Sequence, residues 1–145
     1  MGSPGPVLHM ESHPSEAELI FEDATGDIAL GELEAAELKY RRCTELAPDF
    51  FEGWHAWGMV LMKLGRFPEA IAAGRIAVDL RPDDQLAWSS LSLFYVRNGQ
   101  IPEAESAGAK ARVLGWKGQL STTEKATQKK ETPGTNRENS RHPGN

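Results

Sequence analysis

The sequence predicts an all-α protein built as an array of antiparallel helix pairs. It matches itself at a shift of 34 residues: Trp54 with Trp88, Gly65 with Gly99, Pro68 with Pro102, Glu69 with Glu103, Ala70 with Ala104, Gly74 with Gly108 and Ala77 with Ala111. A repeat of this length is one helical unit, which buries its apolar face only against its neighbours. Breaks at Gly31, Pro48, Gly65, Pro82 and Gly99 leave helix-length segments between them. From Ser15 onward those segments carry a helical pattern.

The spacing predicts helices near 15–30, 32–46, 50–64, 67–80, 84–98 and 101–113. Ser15 with Glu18 forms a capping-box signature, in which each side chain satisfies a free backbone N–H. Pro68 and Pro102 fall in first turns, where proline forfeits no helical bond. Asp83 and Asp84 lie where an acidic cap suits the positive helix end. Gly115 follows the last periodic residues and can take the left-handed conformation that closes a helix, with Trp116 folding back onto it.

Residues 1–14 hold three prolines and two glycines and read as a flexible leader. Residues 15–118 divide into three units, about 17–50, 51–84 and 85–118. Residues 119–145 are poor in apolar side chains and read as a disordered basic tail, with a short helical turn over 117–130 as the alternative.

Charge bounds the partners. Residues 1–116 hold 10 Lys+Arg and 18 Asp+Glu, whereas 117–145 hold 6 and 3. An acidic folded part argues against nucleic acid as the main ligand, since phosphates need a basic face. No apolar run approaches the roughly 18 residues that span a bilayer, so no membrane partner is expected. The N-terminus lacks a basic segment followed by an apolar core, and Cys43 is the single cysteine. A cytoplasmic location is the default.

The second unit reads FEGWHAWGMVLMKLGRFPEAIAAGRIAVDLRPDD and the third QLAWSSLSLFYVRNGQIPEAESAGAKARVLGWKG. They resemble the tetratricopeptide repeat: a Trp, a small residue four positions on, a Gly ending the first helix, an Ala in the second and a closing Pro. In unit two these are Trp54, Gly58, Gly65, Ala70, Ala77 and Pro82; in unit three Trp88, Ser92, Tyr95, Gly99, Ala104 and Ala111. Unit one keeps Gly31, Ala36, Tyr40, Cys43 and Pro48, with Ile20 and Ala24 in its degenerate first helix. Gly74 and Gly108 stand where the family has a large aromatic, and Trp116 replaces the closing Pro. Those glycines suggest close helix approach filled by aromatics from a neighbour. The resemblance implies a right-handed superhelical solenoid whose first helices line a concave groove.

Trp54, Trp57 and Trp88 are expected to pack between units, and Trp54→Ala to cost roughly 3–5 kcal/mol. Cys43 reads as buried filler. The groove face, opposite that core stripe, carries Glu18, Phe21, Thr25 and Ile28 from unit one, then Glu52, His55, Met59, Met62 and Lys63 from unit two. Unit three adds Leu86, Ser89, Leu93, Val96 and Arg97. An apolar, Met-containing groove suits an apolar or amphipathic peptide.

The resemblance also implies a known ligand mode, capture of a peptide's C-terminal carboxylate by Lys, Asn and Arg from three successive units. The corresponding positions here are Phe21, Thr25, Ala56, Leu86 and Ser90, none of them charged. The chain is therefore expected not to clamp chaperone tails.

Enzyme readings are weak. His9 and His13 have helix-type metal spacing but sit among prolines without a third ligand. His55 has only Glu52 within a turn. There is no phosphate-binding Gly loop, CxxC or GxSxG. No catalytic residue, metal or cofactor is expected. The reading is a protein-interaction scaffold, not an enzyme. The alternative is a self-associating module or a piece of a longer array, a homo-oligomer formed through the C-terminal helix and its apolar Ile101, Val113, Leu114 and Trp116.

Overall fold

The computed structural model describes residues 13–141, with side chains through Ser121. Its helices are α1 (Glu16–Ala29), α2 (Leu33–Leu46), α3 (Phe51–Lys63), α4 (Phe67–Leu80), α5 (Gln85–Arg97) and α6 (Ile101–Arg141). The described residues contain no strand. Each helix packs on the next, and α3 also touches α5, as expected of a solenoid whose first helices are neighbours. The expected leader falls largely on residues 1–12, and with it His9; these and His142 lie outside the described residues.

The predicted helix-start signals form as read. Ser15 Oγ accepts from Glu18 N at 3.1 Å while Glu18 Oε1 accepts from Ser15 N at 2.9 Å. Asp84 Oδ1 caps α5 by accepting from Ala87 N at 2.8 Å. Gly31, Gly65 and Gly99 turn the chain within each pair at φ of +80°, +81° and +77°, a region side chains rarely adopt. A second repeated bond fixes the turn between pairs. Trp54 Nε1 donates to the Pro48 carbonyl at 2.7 Å, and Trp88 Nε1 to that of Pro82 at 2.7 Å.

The tryptophans do pack on the core, but half-buried rather than sealed. The largest fully buried side chains are Phe94, Leu61, Val60 and Cys43. Phe94 projects from α5 between α3 and α4. Its ring lies 2.9 Å from where a Cβ on Gly58 would stand and 3.1 Å from that of Gly74. The inference of an aromatic over Gly74 therefore holds. At Gly108 the close neighbour is instead the Ser92 hydroxyl, 3.2 Å from the missing Cβ, which donates to the Ala104 carbonyl at 2.7 Å. Cys43 is fully buried filler; its thiol donates to the Ala17 carbonyl at 3.3 Å, and burial pushes its pKa up.

Polar links tie the units together. The Glu37 side chain, 5% exposed, accepts from Trp57 Nε1 at 2.9 Å and lies 3.5 and 3.4 Å from Arg41 and Arg66. Arg66 also grips Glu69 in a two-pronged bond of 2.7 and 2.9 Å. That bond raises the Arg66 pKa and lowers that of Glu69. Lys39 joins α2 to α1 through Asp23 at 2.8 Å and Asp27 at 2.7 Å.

The C-terminal end needs correction. The last helix does not close at Gly115, and Trp116 does not fold back: Trp116 is 64% exposed. Gly115 serves a different purpose. It remains helical, and the Gln85 amide lies 2.5 Å from its missing Cβ, so the glycine admits a close neighbour rather than a turn. The helix continues to Arg141, over the segment whose composition suggested disorder. Where α4 carries buried Ile71 and Val78, α6 carries exposed Glu105 and Arg112 at the same unit positions.

Candidate functional site

The groove face forms around α3. A depression of about 230 Å³ is lined by Ile28 of α1, Tyr40 of α2, and His55, Ala56, Met59, Val60 and Lys63 of α3. Ile28, Ala56, Met59 and Val60 give it an apolar surface. Lys63 is exposed and makes no ion pair among the described residues.

His55 is held by two contacts. Its ring stacks on Phe51 at 5.9 Å and 7°, and its Nε2 lies 2.9 Å from Ser90 Oγ on α5. Burial lowers its pKa, and the Asp84 carboxylate opposes that shift. A neutral imidazole can share the Ser90 hydrogen bond in either tautomer. Glu52, the acid that sequence spacing offers as a partner, pairs elsewhere. It takes Arg81 at 3.0 Å, and the same guanidinium lies 4.3 Å over the Phe51 ring.

The other expected groove residues divide. Met62 is a correction: at 7% exposure it belongs to the core, one residue past Leu61 on the inward side of α3. Phe21 is half-buried, 5.3 Å from both Tyr40 and Phe50, and lines a separate, wider depression with His13, Pro14, Glu18, Glu22 and Phe50. Thr25 shares a 2.9 Å hydrogen bond with the Tyr40 hydroxyl and also donates to the Phe21 carbonyl at 3.0 Å. Leu86 and Leu93 are exposed on α5, at 63% and 39%. Arg97 folds back to 5.6 Å over the Phe67 ring.

Sequence reasoning missed Tyr40 and Val60 as lining residues and Ser90 as the partner of His55. Tyr40 comes from a second helix, so a pattern read along first helices alone passes over it. Ala56 and Ser90 did appear in the sequence reading, but only as uncharged members of a missing clamp. In the structure Ala56 leaves space and Ser90 is spent on His55.

Residues 55–118 match the family model for the tetratricopeptide repeat. That stretch carries the tetratricopeptide repeat. No curated protein matches the sequence. Among solved structures, MamA superposes with a TM-score of 0.68 at 23% identity, covering 72% of this chain and 61% of that one. MamA of AMB-1 gives 0.65 at 25% identity, covering 70% of this chain and 56% of that one. This chain thus spans less than two thirds of either MamA structure. The second tetratricopeptide repeat domain of Spaghetti (RPAP3), bound to the HSP90 peptide SRMEEVD, gives 0.66 at 18% identity, covering 69% of this chain and 93% of that one. These likenesses are of fold. Among the described residues no helix is long and apolar enough to cross a membrane, and no three His, Cys, Asp or Glu side chains converge to hold a metal.

Proposed function

We propose that this tetratricopeptide chain is a protein-interaction module that holds a partner's peptide segment against its first helices. The observation that carries this is the α1–α2–α3 depression, whose lining combines the apolar Ile28, Ala56, Met59 and Val60 with Tyr40, His55 and Lys63. A pocket of that size takes one bulky apolar side chain, and the Lys63 ammonium, without an ion pair among the described residues, favours a carboxylate beside it. Exposed Leu93, at the same unit position as Met59, extends the apolar strip toward unit three. Met59 adapts to side chains of differing shape, so the anchor can be leucine, methionine or phenylalanine.

The fold is shared with a domain bound to an HSP90 peptide, but this chain's surface argues for a different ligand. Phe21 is packed, Thr25 and Ser90 are hydrogen-bonded within the chain, and Ala56 and Leu86 are apolar. None supplies a cation for a terminal carboxylate.

The test is peptide selection from a displayed random library against the wild-type chain, followed by affinity measurement with Lys63→Glu and Leu93→Glu. Both residues are exposed, so the fold should survive, as circular dichroism would report. Selected peptides should share an apolar anchor and bind the variants at least tenfold more weakly. Equal affinity for the variants, or no enrichment from the library, would overturn the reading.

A further inference from the structure

The last helix carries two apolar stripes. One, Ala104, Ala107 and Ala111, is buried where α6 packs on α5. The other stands on the opposite side: Val113, Trp116 and Leu120 are 50%, 64% and 50% exposed. At about 100° per residue, Val113 and Leu120 lie roughly half a turn round the helix from Ala111. Exposed Ala109 extends this stripe by a turn. Steps of four, three and four residues are the spacing of a seam against another helix running alongside. The repeat does not account for the stripe, because Glu45 and Asp79 occupy the position of Val113 in the earlier units. Arg112 and Lys117 flank it, and neither makes an ion pair among the described residues.

The first helix offers a matching surface at the other end of the array. Leu19, Asp23 and Gly26 correspond to Gly53, Trp57 and Val60 in α3 and to Ala87, Leu91 and Phe94 in α5. Most of those later residues are buried in the array, and Trp57 is packed against its core. On α1 no described helix comes before that face. Leu19 is 53% exposed, and Leu30, one further step along, is 76% exposed. The steps are again four, three and four. Gly26 leaves an open notch, with nothing within 4 Å of its missing side chain. Glu16 and Glu22 flank the face and make no ion pair among the described residues.

We propose that α6 of one molecule docks along the exposed face of α1 of a second copy, with Trp116 seated at the Gly26 notch. Charge complementarity selects a second copy as the occupant. Residues 1–100 hold 8 Lys+Arg against 16 Asp+Glu, whereas residues 101–145 hold 8 against 5. Arg112 and Lys117 then meet Glu16 and Glu22 rather than like charge, which a symmetric α6–α6 contact would bring together. The contact uses different surfaces on the two partners, so it propagates head to tail instead of closing as a two-fold dimer.

Sedimentation velocity over a concentration series tests this. The wild-type chain should gain apparent mass with concentration, and should do so less at high salt. Trp116→Glu and Leu19→Glu should each remain monomeric. Mixed in equal amounts, those two variants should form a dimer, because each retains one intact end. Circular dichroism checks that both are folded, with Leu30→Glu replacing Leu19→Glu if the latter unfolds. A wild-type chain that stays monomeric at every concentration would overturn the proposal. So would a folded Leu19→Glu that assembles like wild type, the result expected if α6 pairs with α6.

Discussion

Phe94 and Gly58 are matched across two repeat units: the ring occupies the space a side chain on the glycine would need, 2.9 Å from its missing Cβ. The contact joins α3 to α5 at the most deeply buried aromatic in the core. It also places a residue of poor helix propensity inside a helix. That choice makes sense only because close packing outweighs the roughly 1 kcal/mol penalty of a helical glycine.

Gly58→Ala should therefore destabilise the chain by about 1–3 kcal/mol, the usual cost of overpacking. Gly26→Ala should do the reverse, since no atom lies within 4 Å of its missing side chain. It should stabilise by up to about 1 kcal/mol through helix propensity and a less flexible unfolded chain. Urea unfolding at dilute concentration reads both. Equal effects of the same sign would contradict the packing argument.

Glu37 is the polar hub between units one and two. Replacing it with alanine strands the Trp57 N–H and removes the carboxylate shared by Arg41 and Arg66. A loss of about 1–3 kcal/mol is expected. A double-mutant cycle with Trp57→Phe isolates the 2.9 Å bond; zero coupling would show that the bond contributes nothing.

His55 gives the fold a pH dependence. Its pKa in the folded chain is depressed from the ordinary value of 6.5, chiefly by burial, so folding favours the neutral ring. The contribution is fully present above the ordinary value. It is lost as pH falls through that value toward the folded pKa. The melting temperature of wild type should fall more between pH 7.5 and 5 than that of His55→Gln, whose amide can still reach Ser90. Parallel curves for the two would remove His55 as the cause.

The peptide SRMEEVD is a direct probe of the missing clamp. In fluorescence anisotropy a labelled copy should show no saturable binding to this chain at micromolar concentrations. Micromolar affinity that is lost on removing the peptide's C-terminal carboxylate would show that the clamp positions have been misassigned.

Much of this was legible in the sequence because the fold repeats. Trp54 and Trp88 make the same bond one unit apart, and Gly31, Gly65 and Gly99 make the same turn. Periodicity alone could not resolve residues whose neighbours come from another element. Met62 differs from Met59 by less than a turn, yet one is core and the other lines a depression. Tyr40 reaches the same depression from a second helix. Gly115 looked like a helix stop because its close neighbour, Gln85, lies 30 residues earlier in the chain.

That Met59–Met62 pair offers the most direct measurement of the proposed function. With methyl groups labelled in methionine and isoleucine, a peptide selected against this chain should shift the NMR signals of Met59 and Ile28 in a saturable way. The buried Met62 should respond far less. Saturable binding that leaves Met59 and Ile28 unmoved would contradict a ligand site built on the first helices.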